Sequence, residues 1–248
     1  MSPSPALTRC GQALFRPTSA IAASLALSGC AGDLSALDPA GPVSQSIAEL
    51  WWAMLLVSAL IFVLVMALVI LTMLRPGFGS SLSPKGWIIA GGLVLPIPVL
   101  TVLIVYALMQ GERLLPLGGA FSDTLRIEAR ARQWSWEFHY PDSPGAPAST
   151  DVLHIPVGRA VDIVATSEDV IHSFWVPRLG GKIDATPGHA AVVRLLADQS
   201  GSFGGVCAEY CGTGHTIMRF TVEAHEPADY ERVMQSLSET GTQRGQTQ

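Results

Sequence analysis

Charged residues are scarce in this sequence of 248 residues: they make up 14%, against about 25% in an average soluble protein. Positive charge is the scarcer sign, with 15 Lys and Arg against 20 Asp and Glu, and the formal net charge is -5. This balance excludes a DNA or RNA partner, because such binding depends on neutralising phosphates with basic side chains. The apolar fraction of 49% and the mean hydropathy of +0.38 indicate that part of the chain lies where charge is excluded.

Cysteine is also scarce. Four cysteines are too few for a disulfide-stapled scaffold, so each needs its own explanation. The sequence has no Cys-x-x-Cys-His motif, which excludes a covalent attachment site for c-type haem within it. Two cysteines lie near the N-terminus, and the other two, Cys207 and Cys211, lie close together far downstream.

The N-terminal residues are typical of an export signal. Arg9 and Arg16 precede an alanine-rich apolar stretch, residues 20–27, that is too short to span a bilayer. The stretch ends in the tetrapeptide LSGC, whose last residue is Cys30 and which resembles the lipobox of bacterial lipoproteins. This pattern predicts a signal peptide over residues 1–29 and a lipidated Cys30. The alternative is an ordinary signal peptide cut nearby, with Cys30 unmodified.

Two long uncharged apolar runs follow, residues 51–74 and 87–109. Each exceeds the roughly 20 residues that a helix needs to cross the hydrocarbon core. Neither shows the polar face expected of a helix buried in a soluble domain. We therefore predict two transmembrane helices, with a kink in the second at Pro96 and Pro98.

Charge sets the predicted orientation of this hairpin. The loop at 75–86 carries Arg75 and Lys85 and no acid, whereas the lead-in at 30–50 carries three acids and no base. The positive-inside rule places the loop in the cytoplasm. Both ends of the hairpin then face outward, which predicts a multi-pass protein of the bacterial inner membrane with its C-terminal domain in the periplasm.

We predict an all-β sandwich or barrel over residues 112–226. Short runs of β-branched residues, or of alternating apolar and polar residues, are separated there by Gly- and Pro-rich turns. The runs are 124–131, 133–140, 152–157, 160–166, 190–196 and 217–224. Residues 227–238 carry an apolar stripe with helical spacing, and the last ten residues predict a polar, frayed tail within the C-terminal segment 227–248.

Soft metal ligands are concentrated between the last two regions of β pattern. Cys207, Cys211, His215 and Met218 fall within twelve residues, and His172 offers a further imidazole at an upstream strand end. Sulfur donors with imidazoles suit copper or zinc. Glycines at positions 212 and 214 are expected to let the backbone bend between these ligands.

Several sites remain compatible with these residues. A disulfide between the cysteines suits an oxidising compartment but leaves the histidine and methionine unexplained. A structural zinc site has no use for the methionine. A blue-copper site needs only one cysteine. Two thiolates at i and i+4 can also bridge a pair of copper ions, each of which then takes one histidine.

The motif Cys-x-Glu-x-Cys-Gly-x-Gly-His-x-x-Met, with Glu-Asp-Val-Ile-His upstream, closely resembles subunit II of the haem-copper cytochrome c oxidases. The resemblance extends over nearly the whole mature chain, including the helical hairpin and the stretch PRLGGKIDATPG. It implies a cupredoxin-type β-barrel that holds the binuclear copper centre CuA. The implied ligands are Cys207 and Cys211 as bridges, His172 and His215 on one copper each, Met218 as a weak ligand, and the backbone carbonyl of Glu209.

The resemblance also implies roles beyond copper. The Glu209 side chain would contribute to a magnesium or manganese site at the interface with subunit I. Trp134 would be the residue at which electrons enter, and Trp136 would pack inside, although Ser135 stands where relatives often have an aromatic residue. Glu168 and Asp169, close before His172, are candidate docking acids for a basic cytochrome c.

The function that follows is that of the electron-accepting subunit of a proton-pumping terminal oxidase. Its implied partners are subunit I, which carries haem and CuB, subunit III, cytochrome c and membrane lipid. Two rivals remain: subunit II of a quinol oxidase, which shares the architecture without copper, and a membrane-anchored copper carrier.

Overall fold

The structure, a computed structural model, describes residues 30–114 and 124–246. The predicted signal peptide at 1–29 lies outside the described residues. The predicted fold class is confirmed: two apolar N-terminal helices precede a β-sandwich of the cupredoxin type, and a helix follows it.

The helical hairpin consists of α1, Pro42–Leu74, and a second helical stretch that begins with α2, Pro84–Ile89. That stretch continues through a π-helical turn, Ala90–Val94, into α3, Pro96–Leu114. Both helical stretches are long and apolar enough to cross a membrane. The predicted irregularity near the prolines lies in the π turn, just ahead of Pro96, whose missing N–H interrupts the regular hydrogen bonds.

Helix α1 begins earlier than the apolar run at 51–74. A proline in its first turn favours the start at Pro42. The added turns are not apolar, and Ser44 and Ala48 within them are buried. The Ser44 hydroxyl donates to the backbone carbonyl of Arg178 in the β-domain, at 2.7 Å. These turns therefore connect the hairpin to the domain.

Two five-stranded sheets form the sandwich, with strand orders β3-β2-β1-β5-β8 and β4-β10-β9-β6-β7. The pairs β1–β5 and β4–β10 are parallel and the other pairs are antiparallel. The strands are β1 Leu125–Arg132, β2 Ser135–His139, β3 Ala148–Thr150, β4 Val152–Pro156, β5 Val161–Ser167, β6 His172–Trp175, β7 Ile183–Ala185, β8 Ala191–Leu195, β9 Gly201–Cys207 and β10 Arg219–His225. The C-terminal helix α4, Pro227–Gln246, extends through most of the predicted frayed tail.

Aromatic residues fill the core between the sheets. Trp136 is fully buried, as predicted, and its ring meets Phe174 edge-on with a centroid distance of 5.6 Å. Phe174 in turn stacks on Phe220 at 4.9 Å. The ring centroids of Trp136 and His172 also lie 6.2 Å apart in a T-shaped arrangement, so the aromatic core packs against one candidate metal ligand.

Residues 30–41, which we call the strap, lie against the β-domain before the chain enters α1. The Ala40 N–H donates to the Arg178 carbonyl at 2.8 Å, and the Ala40 carbonyl accepts from the Asp198 N–H at 2.9 Å. The Arg178 guanidinium pairs with the Asp38 carboxylate at 3.2 Å. The predicted lead-in is thus an ordered part of the domain surface.

Candidate metal centre

Strand pairing in the sheet β4-β10-β9-β6-β7 brings the upstream histidine to the cysteine loop. Strand β6 begins at His172 and pairs with β9, which ends at Cys207. The Ala208 N–H continues this pairing by donating to the Ser173 carbonyl at 2.9 Å. As a result, His172 Nδ1 lies 3.8 Å from Cys207 Sγ, although 34 residues separate them in the sequence.

The remaining predicted ligands surround the second cysteine. Cys211 Sγ lies 3.7 Å from each of three atoms: Cys207 Sγ, His215 Nδ1 and Met218 Sδ. The backbone carbonyl oxygen of Glu209 lies 3.2 Å from Cys207 Sγ. The structure therefore brings all six predicted ligand groups to one place, and both cysteines are free thiols because their separation far exceeds the roughly 2.05 Å of a disulfide.

The chemistry of this donor set fits copper. Two thiols, two imidazoles, a thioether and a carbonyl are mainly soft donors, which suit copper far better than magnesium or calcium. Burial, with the neighbouring Cys207 as a second cause, raises the pKa of the Cys211 thiol to about 12. Metal binding at the Cys211 sulfur would therefore displace its proton, because the thiolate is the form that binds a metal.

Asp169 fixes the orientation of one ligand. Its Oδ1 lies 2.8 Å from His172 Nε2, and its Oδ2 accepts from the Gln133 N–H at 2.7 Å. Burial raises the pKa of Asp169, but the hydrogen bonds from Gln133, His172 and Val170 outweigh burial and lower that pKa to about 2. The carboxylate therefore holds the proton on Nε2 and leaves Nδ1 free to face Cys207.

Orienting His172 is a different role from the docking role predicted for Asp169. Its side chain is 31% exposed. Glu168 and Asp169 are both exposed residues, and the docking role of each stays a prediction.

Trp134 is 40% exposed, and its indole lies directly on the cysteine loop. The indole Nε1–H donates to the Cys211 carbonyl at 3.3 Å. A Cβ on Gly214 would lie 2.3 Å from the indole Cδ2, so the ring occupies the space that this glycine leaves. Trp134 thus links the molecular surface to a residue that carries a candidate bridging sulfur.

Comparison with known proteins decides the family. The sequence model described as "Cytochrome C oxidase subunit II, periplasmic domain" matches residues 148–225. The chain is 36% identical over 228 residues to cytochrome c oxidase subunit 2 of Alkalihalophilus pseudofirmus, which covers 86% of this chain and 66% of that protein. The chain belongs to the cytochrome c oxidase subunit II family. This result confirms the resemblance drawn from the sequence motif.

A quinol oxidase subunit is also among the proteins that this chain resembles. Quinol oxidase subunit 2 of Bacillus cereus is 29% identical over 230 residues, covering 87% of this chain and 77% of that protein. The periplasmic domain of subunit II of cytochrome oxidase from Bradyrhizobium japonicum is 28% identical, with a TM-score of 0.45 over 47% of this chain and 94% of that chain. The chain spans 66%, 32% and 62% of the length of the first three curated relatives, about two thirds or less.

Two further predicted roles, for the Glu209 side chain and for Cys30, involve no copper. The Glu209 side chain is exposed beside the loop, and its role in a magnesium or manganese site stays a prediction. Cys30 is partly buried at the start of the strap, where its carbonyl accepts from the Ser35 hydroxyl at 2.7 Å. Lipidation of Cys30 also stays a prediction.

Exposed apolar residues surround the candidate metal centre, a feature that the sequence motif does not reveal. They are Trp134, Val170, Ile171, Tyr210 and Ile217, and we call them the apolar rim. Four of them lie within two residues of a candidate ligand along the chain. Exposed apolar side chains grouped beside one site are typical of a contact site for another protein.

Proposed function

We propose that this chain is the CuA-carrying, electron-accepting subunit of a respiratory terminal oxidase. It would receive electrons from cytochrome c for haem in subunit I, where oxygen is reduced to water and protons are pumped. The observation that carries the proposal is the convergence of six donor groups, most of them soft, beside an exposed tryptophan.

Each donor group has a distinct part in holding copper. Cys207 and Cys211 would bridge two ions, His172 and His215 would bind one each through Nδ1, and Met218 and the Glu209 carbonyl would complete the set. When bound, the copper pair supplies a one-electron centre whose charge is shared over two ions. The buried sheet ends keep the ligands in place, so little rearrangement accompanies a change of charge.

The complete donor set favours a cytochrome c oxidase over a quinol oxidase, whose subunit II has the same architecture without copper. The exposed Trp134 and the apolar rim favour an oxidase subunit over a copper carrier, because a carrier needs no contact surface for a redox partner. We further propose that α1 and the α2–α3 stretch span the bacterial inner membrane, with the β-domain in the periplasm and a lipid on Cys30. Subunits I and III would then be partners within the membrane.

The test is the metal content of the full-length chain purified in detergent and loaded with copper. We expect two coppers per chain and an electron paramagnetic resonance (EPR) spectrum in which one unpaired electron is shared by two copper nuclei. Cys207→Ser or Cys211→Ser should abolish this spectrum, because either change removes one bridge.

Cys30→Ser is the matched control: it removes the proposed lipid, but Cys30 is not among the six donor groups, so it should leave the spectrum unchanged. A single copper with a blue absorption band, or a disulfide that prevents loading, would contradict the proposal.

A further inference from the structure

Gln133 forms hydrogen bonds to two segments: the cysteine loop and the turn just before His172. It lies in the turn between β1 and β2, at the same end of the sandwich as the cysteines. Its backbone N–H donates to Asp169 Oδ2 at 2.7 Å, and the other oxygen of that carboxylate orients His172. Its side-chain Nε2 donates to the Cys211 carbonyl at 2.8 Å.

The same carbonyl accepts from the next residue in the chain. The Trp134 Nε1–H reaches the Cys211 oxygen at 3.3 Å, a longer and weaker bond than that of Gln133. A carbonyl oxygen has two lone pairs, so these two donors satisfy it fully. Gln133 and Trp134 are adjacent in the chain. The shorter bond, from Gln133 Nε2, therefore fixes the β1–β2 turn that carries the Trp134 indole.

The cysteine loop is shaped to receive both side chains. A Cβ on Gly212 would lie 2.9 Å from Gln133 Nε2, and a Cβ on Gly214 would meet the Trp134 ring. Each of the two glycines thus leaves room for one of the two consecutive side chains.

We propose that Gln133 is a positioning residue, which holds Trp134 against the Cys211 segment and so sets the contact through which electrons enter. The inference rests on the proposed function, since it names a residue that serves the same site. Gln133 touches none of the reacting atoms. It acts through the position of Trp134 and through the geometry that Asp169 gives to His172.

The deciding experiment is a double-mutant cycle in the full-length, copper-loaded chain. Gln133→Met keeps the length of the side chain and removes its donor, and Trp134→Phe removes the indole on which Gln133 is inferred to act. Gln235→Met on the exposed face of α4 is the matched control. Each protein is reduced once by a c-type cytochrome and once by a small diffusible reductant, and its copper EPR spectrum is recorded.

We expect Gln133→Met to slow reduction by the cytochrome about tenfold, the order of effect that misplacing a reacting group can produce. Reduction by the small reductant and the EPR spectrum should match those of the unmodified chain. In the Trp134→Phe background, Gln133→Met should have no further effect. An unchanged rate, or an equal loss with and without the indole, would overturn the proposal.

A second readout needs no copper. Hydrogen exchange of the metal-free chain should be about fivefold faster in the segment 208–214 of Gln133→Met, which corresponds to the loss of one hydrogen bond. Exchange in the core strands should stay unchanged, because the Gln133 side chain is exposed. If the unmodified chain bound no copper, the proposed function would fail while this measurement still tested the Gln133 contact. Equal exchange in the two chains would overturn the inference itself.

Discussion

At the scale of single residues, two glycines in the cysteine loop serve different purposes. Gly212 has a φ of 117°, in the region that favours glycine, which agrees with the bend predicted from the sequence. Gly214 has a φ of -89° and a ψ of 7°, a turn conformation that any residue can adopt, so the bend at this position does not itself require glycine. Its lack of a side chain matters because the Trp134 ring occupies that space.

Gly214→Ala should therefore displace the indole without removing any ligand. A Cβ only 2.3 Å from a ring carbon forces the tryptophan to move, because the ring is rigid. We expect slower reduction by cytochrome c in stopped-flow measurements, by about tenfold, with two coppers still bound. Gly181→Ala is the control, since a Cβ there meets nothing within 4 Å. Full retention of the rate in Gly214→Ala would show that electrons enter elsewhere.

At the scale of secondary-structure elements, the parallel pair β4–β10 carries two histidines on one face. His154 Nδ1 lies 2.9 Å from His225 Nε2, so one ring donates and the other accepts. Burial, and secondarily the charge of His225, lower the pKa of His154 to about 4 from its ordinary value of 6.5. The folded strand pair thus requires His154 to be neutral.

This pair predicts a window of acid sensitivity. Between about pH 6.5 and about pH 4 the unfolded chain binds a proton at His154 that the folded chain does not, so the free energy of unfolding falls as the pH is lowered. Above pH 6.5 this contribution is constant. His154→Gln should flatten the dependence of the free energy of unfolding on pH, measured by urea unfolding followed by tryptophan fluorescence. His189→Gln, at an exposed position, should leave that dependence unchanged. An unchanged slope in His154→Gln would assign the acid sensitivity to other groups.

The same scale shows what sequence patterns can predict. Strands such as β1 and β10 were predictable from apolar residues that recur at every second position, and burial in the structure follows the same period. Strand β9 was not, because its sequence GSFGGVC contains three glycines, which weaken any strand pattern. Strands β3, β6 and β7 are three or four residues long and leave no period to detect.

The ligands could be predicted because one motif contains nearly all of them. The contact between Gln133 and Asp169 could not, because it depends on a pairing remote in sequence. Strands β1 and β5 are parallel, with Ala131 opposite Ser167, so both strands end at the same edge and their following turns meet. Sequence alone does not specify that pairing.

At the scale of the whole molecule, the charge of residues 112–248 bears on how the proposed donor, a cytochrome c, would approach. Residues 112–248 contain 11 basic and 17 acidic side chains, a net charge of -6. Together with the apolar rim, this charge suits a basic partner that is attracted at long range and held by apolar contact. Charge then governs the rate of encounter more than the affinity.

Reduction by a basic cytochrome c should consequently slow as salt is added. Raising the ionic strength from 0.01 M to 0.15 M shortens the screening length from about 30 Å to about 8 Å. The second-order rate constant should fall accordingly, and Glu168→Gln should make its salt dependence shallower. Glu239→Gln, an exposed acid on α4, is the control. A rate independent of salt would exclude electrostatic steering by this surface.

The strap imposes an order of events on biogenesis. It precedes both helices in the chain, whereas Arg178 and Asp198, which it contacts, are synthesised only after them. The strap is therefore made before the strands that it contacts, and the helices tether it to them at high local concentration. A fragment that starts after α3 would fold without this segment and would leave the Arg178 carbonyl and the Asp198 amide without these partners.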